Sequence, residues 1–399
     1  MSSLAQLHLK KDQERRLLAG HLWIYSNEVD TNLTPLKNLH PGQVVEIWGG
    51  RNRWLGLGYA NPNSLICARL ITKQRGVKLN QELLHHRIAR ALELRTRFYP
   101  NPWYRLVFSE ADNLPGLIAD RYGEVLVVQF STAGMEQWQE WVIVAFNSLL
   151  HPQAILLRND ISVRELEGLS QHITPIQGII PTQIELEENG LKFLVSPQHG
   201  QKTGWFYDQR ENRARLRRYV AGKRILDVFS YLGGWGISAA VWGAHEVLCI
   251  DSSDLAITGI SENAKLNNCQ AHIHPHKGDA FEVLKQLHEN NERFDVVILD
   301  PPAFIKRRKD LEAGIEAYIR LNQLGLKLIP ANGILISSSC STLMTSELLL
   351  HTVQKAAHRN GQGLQLLEIG QQGLDHPIHP AIVETAYLKS LYFRVMMNI

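Results

Sequence analysis

The chain has 399 residues, 44% of them hydrophobic and 20% charged, and a formal net charge of +3. That length suits two or three domains with more than one core. No run reaches the roughly 18 apolar residues of a membrane span, and the first fifteen residues, with Lys10, Lys11, Asp12, Glu14 and Arg15, lack an apolar signal core, so a cytoplasmic protein is expected.

Residues 43–48, 53–60 and 64–71 read as strands separated by Gly49-Gly50 and Asn61-Pro62-Asn63, which are turn signals with a steric cause. Residues 1–75 are therefore expected to form a small β-rich domain. A central α+β domain is expected over 76–180. It has a helix over 80–98, with Leu83, Leu84, Ile88, Ala91, Leu92 and Leu94 at close to helical spacing, a strand over 124–130 and a helix over 135–150.

From residue 181 onward a third domain is expected. Strands are predicted over 224–229, 246–251, 272–276, 294–300, 333–339, 364–369 and 390–396. Helices over 235–242, 255–267, 281–289, 311–328 and 346–359 separate the first six. Alternating elements imply an α/β fold with a parallel sheet and helices on both faces. The last two strands lack a helix between them and suit an antiparallel hairpin at the sheet edge.

In such a sheet, ligands bind beyond the carboxyl ends of the strands. The first strand runs into Asp227-Val-Phe229-Ser230-Tyr231-Leu-Gly233-Gly234-Trp-Gly236. Its glycines let a ligand approach the backbone, but their spacing is not the dinucleotide fingerprint G-x-G-x-x-G. Asp251-Ser252 ends the second strand, where a carboxylate can accept both ribose hydroxyls. Gly278-Asp279-Ala280 follows the third, placing a carboxylate for an adenine amino group. Asp251 and Asp279 would equally serve as helix N-caps. Taken in order, the three strand ends suit an adenosine ligand without pyrophosphate and favour S-adenosyl-L-methionine over a nicotinamide cofactor.

The fourth strand ends in Asp300-Pro301-Pro302-Ala303-Phe304. The prolines cannot continue a strand ladder, and a carboxylate beside an aromatic ring suits a flat heterocycle. The fifth ends in Ser337-Ser-Ser-Cys340-Ser341. Cys340 thus sits at the same edge as Asp300, where a thiolate adding to C6 of cytosine would make C5 nucleophilic. Asp300 would assist as an acid at N3 if burial raised its pKa. Cys249, inside a strand, reads as an inert core thiol. None of the four cysteines forms a C-x-x-C pair, so no metal site is expected. Two basic runs stand out. Arg213, Arg215, Arg217, Arg218, Lys223 and Arg224 read as a solvated face, whereas Lys306, Arg307, Arg308 and Lys309 follow Asp300 closely enough to meet phosphate.

These motifs, together with Gly200-Gln-Lys202-Thr203-Gly-Trp-Phe-Tyr-Asp208-Gln-Arg210, Asp375-His-Pro377 and Tyr387-Leu-Lys389, give the chain its identity. It resembles the RlmI-type 23S ribosomal RNA cytosine-C5 methyltransferases over nearly its whole length. The resemblance implies an N-terminal PUA-like RNA-binding domain, a central α+β domain and a Rossmann-like class I methyltransferase domain with a seven-stranded sheet. It implies Cys340 as nucleophile, Lys202, Thr203, Asp208 and Arg210 as cofactor contacts, and 23S ribosomal RNA or a large-subunit precursor particle as partner, with a homodimer allowed. Pro301, Phe304, Lys306, Arg307 and Arg308 are the expected substrate contacts. The chain departs from familiar members at Ala303, where they carry Lys, and at Trp235, which replaces a smaller aromatic. A guanine-N methyltransferase of the same fold and a catalytically silent RNA-binding protein are the alternatives.

Overall fold

The computed structural model describes residues 4–397. The chain forms two compact units: Met1–Thr182 with Ser196–Trp205 and Leu374–Thr385, and Gln183–Val195 with Phe206–Gly373 and Ala386–Ile399. Two segments of the stretch 181–399 therefore group with the first unit rather than with the methyltransferase-like sheet.

The first unit opens with β1 (Ala5–His8), a single-turn α1 (Arg15–Leu18), β2 (Trp23–Tyr25), β3 (Gln43–Gly49), β4 (Arg53–Ala60) and β5 (Ile66–Thr72). They form a sheet of order β1-β3-β4-β5-β2 around Leu7, Ile24, Val45, Ile47 and Leu70. The β-rich start expected from sequence is present, with two short strands that its patterning did not announce.

There follow α2 (Gln81–Phe98), β6 (Trp103–Phe108), β7 (Leu117–Tyr122), β8 (Val125–Phe130), α3 (Ala133–Gln137), α4 (Gln139–Leu150), β9 (Ala154–Arg158), α5 (Val163–Leu166) and β10 (Ile173–Gln177), with a sheet of order β10-β9-β8-β7-β6. Asn80 caps α2 by accepting from Leu83 N at 3.1 Å. The single helix expected over 135–150 is two: the chain starts helical at Ala133, capped by Thr132, and leaves helical geometry at Trp138. The two sheets of this unit share polar ties. Buried Tyr59 of β4 donates to Pro115 O at 2.9 Å and meets Thr132 Oγ1 at 2.9 Å, and Arg69 of β5 pairs with Glu167 at 3.1 Å.

The second unit begins with a hairpin, β11 (Ile184–Glu188) and β12 (Leu191–Val195), and α6 (Arg210–Arg215). Alternation then sets in: β13 (Arg224–Val228), α7 (Gly234–Val241), β14 (Glu246–Asp251), α8 (Asp254–Leu266), β15 (Ile273–Lys277), α9 (Ala280–Glu289), β16 (Val296–Leu299), α10 (Leu311–Lys327), β17 (Ile334–Ser339), α11 (Ser346–Arg359), β18 (Gln362–Gln371) and β19 (Lys389–Met397). The seven strands order as β15-β14-β13-β16-β17-β19-β18. The first five run parallel, and β19 runs antiparallel to both β17 and β18, as the sequence reading anticipated.

Strands β13 and β16 are flanked on both edges and buried along their length, which explains the apolar runs Ile225-Leu226 and Val296–Leu299. Helix α10 packs against both α9 and α11, and α7 packs with α8. The order reverses between β13 and β16, so the switch point lies at the carboxyl ends of these two strands.

Candidate active site

After β13 the backbone turns sharply. Phe229 and Tyr231 take positive φ values of 66° and 50°, each disfavoured for an L-residue by roughly 1 kcal/mol or more. Gly233, at φ 82°, caps the entry to α7. Gly236 N–H donates to Asp227 Oδ2 at 2.9 Å. A Cβ on Gly236 would lie 2.4 Å from Cys249 Sγ and 3.1 Å from Asp227 Oδ2, so this glycine lets α7 lie against the sheet. Ser230, nearly buried, donates to Asp227 O at 2.7 Å.

Asp227 is fully buried, and its Oδ1 finds no hydrogen-bond partner in the chain. Burial pushes its carboxyl up to about 7, against the Gly236 hydrogen bond, which lowers it. A buried carboxylate with an unpaired oxygen fits a ligand that carries positive charge.

Asp251, at the end of β14, is half-buried and accepts from Tyr231 N at 2.9 Å and Ser253 N at 3.0 Å. It braces the β13 turn and is not the helix cap, which is Ser253. Ser252 is exposed beside it. Asp279 does cap α9: its Oδ1 accepts from Phe281 N at 2.9 Å and Glu282 N at 3.2 Å. Only Oδ1 serves the cap, and Ala280 beneath it is buried. Glycine turn, half-buried carboxylate and exposed capping carboxylate stand at the ends of three adjacent strands, β13, β14 and β15. This is the donor and acceptor set of a nucleoside with a cationic tail, so the residues present fit S-adenosylmethionine.

Asp300 follows β16. Gln209 Nε2 donates to both its oxygens, at 2.8 and 2.9 Å, and Trp235 Nε1 to Oδ2 at 3.0 Å. Burial raises its carboxyl to about 6, with Asp208 raising it further and the Trp235, Gln209 and Arg213 interactions opposing. Gln209 is itself held by Asn212 Nδ2 at 2.7 Å. Pro301 is buried. Phe304, expected to stack a base, sits among aromatic rings, with centroids 4.9 Å from Tyr318, 6.3 Å from Phe281 and 6.4 Å from Phe229. Its ring joins the turns after β13, β15 and β16. Lys306, Arg307, Arg308 and Lys309 are all exposed in the loop before α10.

Cys340 lies one residue past β17, the strand beside β16, and is partly exposed. Cys67, Cys249 and Cys269 are buried, and burial pushes their thiols up, to about 12 for Cys67 and about 11 for Cys269. Lys389 begins β19 in register with Ser339. It is almost fully buried, and its Nζ donates to Ser341 O at 2.7 Å and Tyr387 O at 2.9 Å. Burial lowers its pKa to about 8, and the charge of Cys340 pulls it back up. Tyr318 OH bridges Ser339 Oγ at 2.8 Å and Ser341 Oγ at 3.4 Å.

Of the remaining expected residues, Asp208 accepts from the Tyr387 hydroxyl, and Arg210 lies over the Tyr207 ring with Nε 3.7 Å from Glu188. Lys202 and Thr203 belong to the first unit. Thr203 is buried there and its hydroxyl donates to Asp120. The basic run 213–224 is largely neutralised: Arg213 by Glu188 at 2.5 Å, Arg215 and Arg218 by Glu368 at 3.4 and 2.7 Å, and Arg224 by Glu246 at 2.6 Å. Sequence reasoning had not given Gln209, Trp235 or Lys389 a role. Each stood in a motif, but its partner is distant in sequence.

A sheet of this order, with a glycine turn and acidic ends on adjacent strands, defines a nucleoside-cofactor methyltransferase. The family profile described as S-adenosylmethionine-dependent methyltransferase matches residues 176–394, and that of the PUA-like domain matches residues 7–73. Ribosomal RNA large subunit methyltransferase I of Escherichia coli (strain UTI89 / UPEC) is 35% identical over 396 residues, covering 98% of this chain and 99% of its own. The protein of that name from Aeromonas salmonicida (strain A449) is 36% identical over 393 residues, covering 97% and 98%. A solved methyltransferase complexed with SAH shares the fold, with a TM-score of 0.85, 23% identity and coverage of 98% and 100%. The chain belongs to the ribosomal RNA large subunit methyltransferase I family. It is an S-adenosylmethionine-dependent methyltransferase with a PUA-like N-terminal domain. No helix among the described residues is long and apolar enough to cross a membrane.

Proposed function

We propose that the chain methylates C5 of a cytosine in large-subunit (23S) ribosomal RNA, in the cytoplasm, through a covalent bond from Cys340 to C6 of the base. The observation that carries this reading is the setting of Cys340. It is the one partly exposed thiol among four, at a strand end beside the strand of Asp300 and within the electrostatic reach of Lys389. The functional parts are the PUA-like residues 1–75, the central residues 76–180 and the methyltransferase residues 181–399.

S-adenosylmethionine supplies an electrophilic methyl group when bound. The Cys340 thiolate adds to C6, and the C5–C6 π pair becomes available at C5. Asp300 holds a proton that it can deliver to N3 as the ring gains electron density. With a pKa of about 6, roughly one carboxyl in ten carries that proton at pH 7. C5 then bonds to the methyl carbon as the methyl–sulfonium bond breaks and S-adenosylhomocysteine leaves. The C5 proton passes to solvent water, and its electron pair restores the C5–C6 double bond. The bond from C6 to Cys340 breaks with the sulfur leaving as thiolate, and N3 returns its proton to Asp300.

Lys306, Arg307 and Arg308, exposed past Asp300, suit phosphates flanking the target base. The test is nucleoside mass spectrometry of ribosomal RNA from a deletion strain carrying wild-type or Cys340→Ala protein. Loss of one 5-methylcytidine, restored only by wild type, is expected. Full restoration by Cys340→Ala, or a missing methylguanosine in place of methylcytidine, would overturn the reading.

A further inference from the structure

The first unit carries an open groove of about 590 Å³ whose walls include Lys73, His86, Arg87, Arg90 and His379, with no carboxylate side chain among them. Lys73 is the first residue past β5, and His86, Arg87 and Arg90 lie on α2. Arg87 and Arg90 are three apart, and His86 and Arg90 four apart, so all three project from neighbouring positions on the helix surface.

The cations here differ from the others in the same unit. Arg69, Arg95, Arg105, Arg158 and Arg164 are buried or nearly so, and each pairs with a carboxylate at 2.5–3.1 Å. Arg87 is also half-buried, but its terminal nitrogens donate to the carbonyls of Asn113 and Ile71. Burial alone pushes it down to about 10. Lys73 Nζ donates to the Leu17 carbonyl, and burial alone lowers it. Glu110, the carboxylate whose charge reaches His379, is taken by Trp23 Nε1 at 2.8 Å and by the Ser109 hydroxyl at 2.6 Å.

Cations removed from water are disfavoured unless a counter-charge meets them. Carbonyl acceptors orient half-buried Arg87 and the more exposed Lys73 but leave their positive charge uncompensated beside an open groove. Arginine and lysine held in fixed positions without acids are suited to phosphate oxygens. Such phosphate contacts position a strand rather than specify sequence.

We propose that this groove binds the phosphate backbone of the RNA substrate, at a site separate from the methyl-transfer centre. The inference rests on the RNA reading above.

The test is the affinity of the full chain for an unmodified transcript of large-subunit ribosomal RNA, measured by fluorescence anisotropy across a salt series. Lys73→Gln with Arg90→Gln is the main variant. Arg90→Gln alone, an exposed helix position, serves if the pair fails to fold. Arg87 is left intact because it pins two backbone segments. The double variant is expected to lose at least about tenfold in affinity at low salt, and its log–log salt slope is expected to fall by about 1–2. S-adenosylmethionine affinity by calorimetry should not move. Wild-type binding with an unchanged slope in the variants overturns the groove inference and leaves the substrate reading standing. No salt-dependent RNA binding by wild type removes the substrate reading and the groove with it. Competition by polyglutamate as strong as by polyuridylate assigns the groove to an acidic peptide and overturns the proposal.

Discussion

Replacing Trp235 by Phe removes one hydrogen bond from Asp300 and keeps an aromatic ring on α7. The indole N–H lies 3.0 Å from Asp300 Oδ2. A hydrogen bond to a charged acceptor is worth about 1.5–3 kcal/mol, or about 1–2 pH units at 1.36 kcal/mol per unit. Gln209 remains on both oxygens, so the lower end applies. Asp300 should move from about 6 to roughly 7. The rate needs a protonated Asp300 together with a Cys340 thiolate. Below the carboxyl pKa the acid is fully present and the rate climbs with the thiolate fraction. Between the carboxyl and thiol pKa values the gain in thiolate cancels the loss of acid, and above the thiol pKa the rate falls. Wild-type kcat/KM should therefore stop rising near pH 6 and Trp235→Phe near pH 7, with the descending limb in the same place. A methyl-transfer profile whose rise still ends near pH 6 in the variant would refute the assignment of Asp300 as the acid.

Three further outcomes are expected. In Lys389→Met the pH midpoint for iodoacetamide alkylation of Cys340 should rise by about one unit, since an ammonium favours the thiolate; Lys389→Arg should restore it, and an unmoved midpoint would show that the lysine only holds the β19 backbone. Asp227 keeps its proton in the folded chain up to about pH 7 but ionises near 3.9 when unfolded, so its burial erodes stability as pH rises from about 4 to 7 and the loss is complete above that. Asp227→Asn should accordingly match wild type in melting temperature near pH 4 and exceed it above pH 7, while binding S-adenosylmethionine more weakly; a difference independent of pH would contradict this. Gly236→Ala places a methyl carbon 2.4 Å from Cys249 Sγ, so thermal or denaturant melts should show a loss of about 1–3 kcal/mol, with weakened cofactor binding by calorimetry.

The parallel sheet was legible because its central strands have to be apolar on both faces and have to end where glycine and aspartate begin. Ile225-Leu226 running into Asp227, and Val296–Leu299 running into Asp300, follow from that constraint. The hairpin of β11 and β12 also left a signal, the Asn189-Gly190 turn with both residues at positive φ between alternating apolar positions. The apolar alternation of Ile184 and Leu186 is broken at the next inward position, Glu188. The structure explains that glutamate, which is buried against Arg213. What no local pattern carries is the meeting of residues 209, 235 and 300, or of 340 and 389. These side chains join only because the switch point and the antiparallel β19 bring their strand ends together.

Charge density along the chain does not by itself locate uncompensated charge, and the reason is physical. The longer basic run, 213–224, folds against Glu188, Glu246, Glu292 and Glu368, so most of its field is spent inside the protein. Lys73, Arg87 and Arg90 are spread over eighteen residues and would not draw attention in the sequence. The fold gathers them around a groove without acids and half-buries one of them, Arg87. What attracts a polyanion is uncompensated charge, and compensation is a property of tertiary neighbours. On the proposed mechanism the same principle applies at Cys340. Lys389 hydrogen-bonds to carbonyls, so its positive charge remains available to a thiolate there, whereas an acid beside Lys389 would neutralise it.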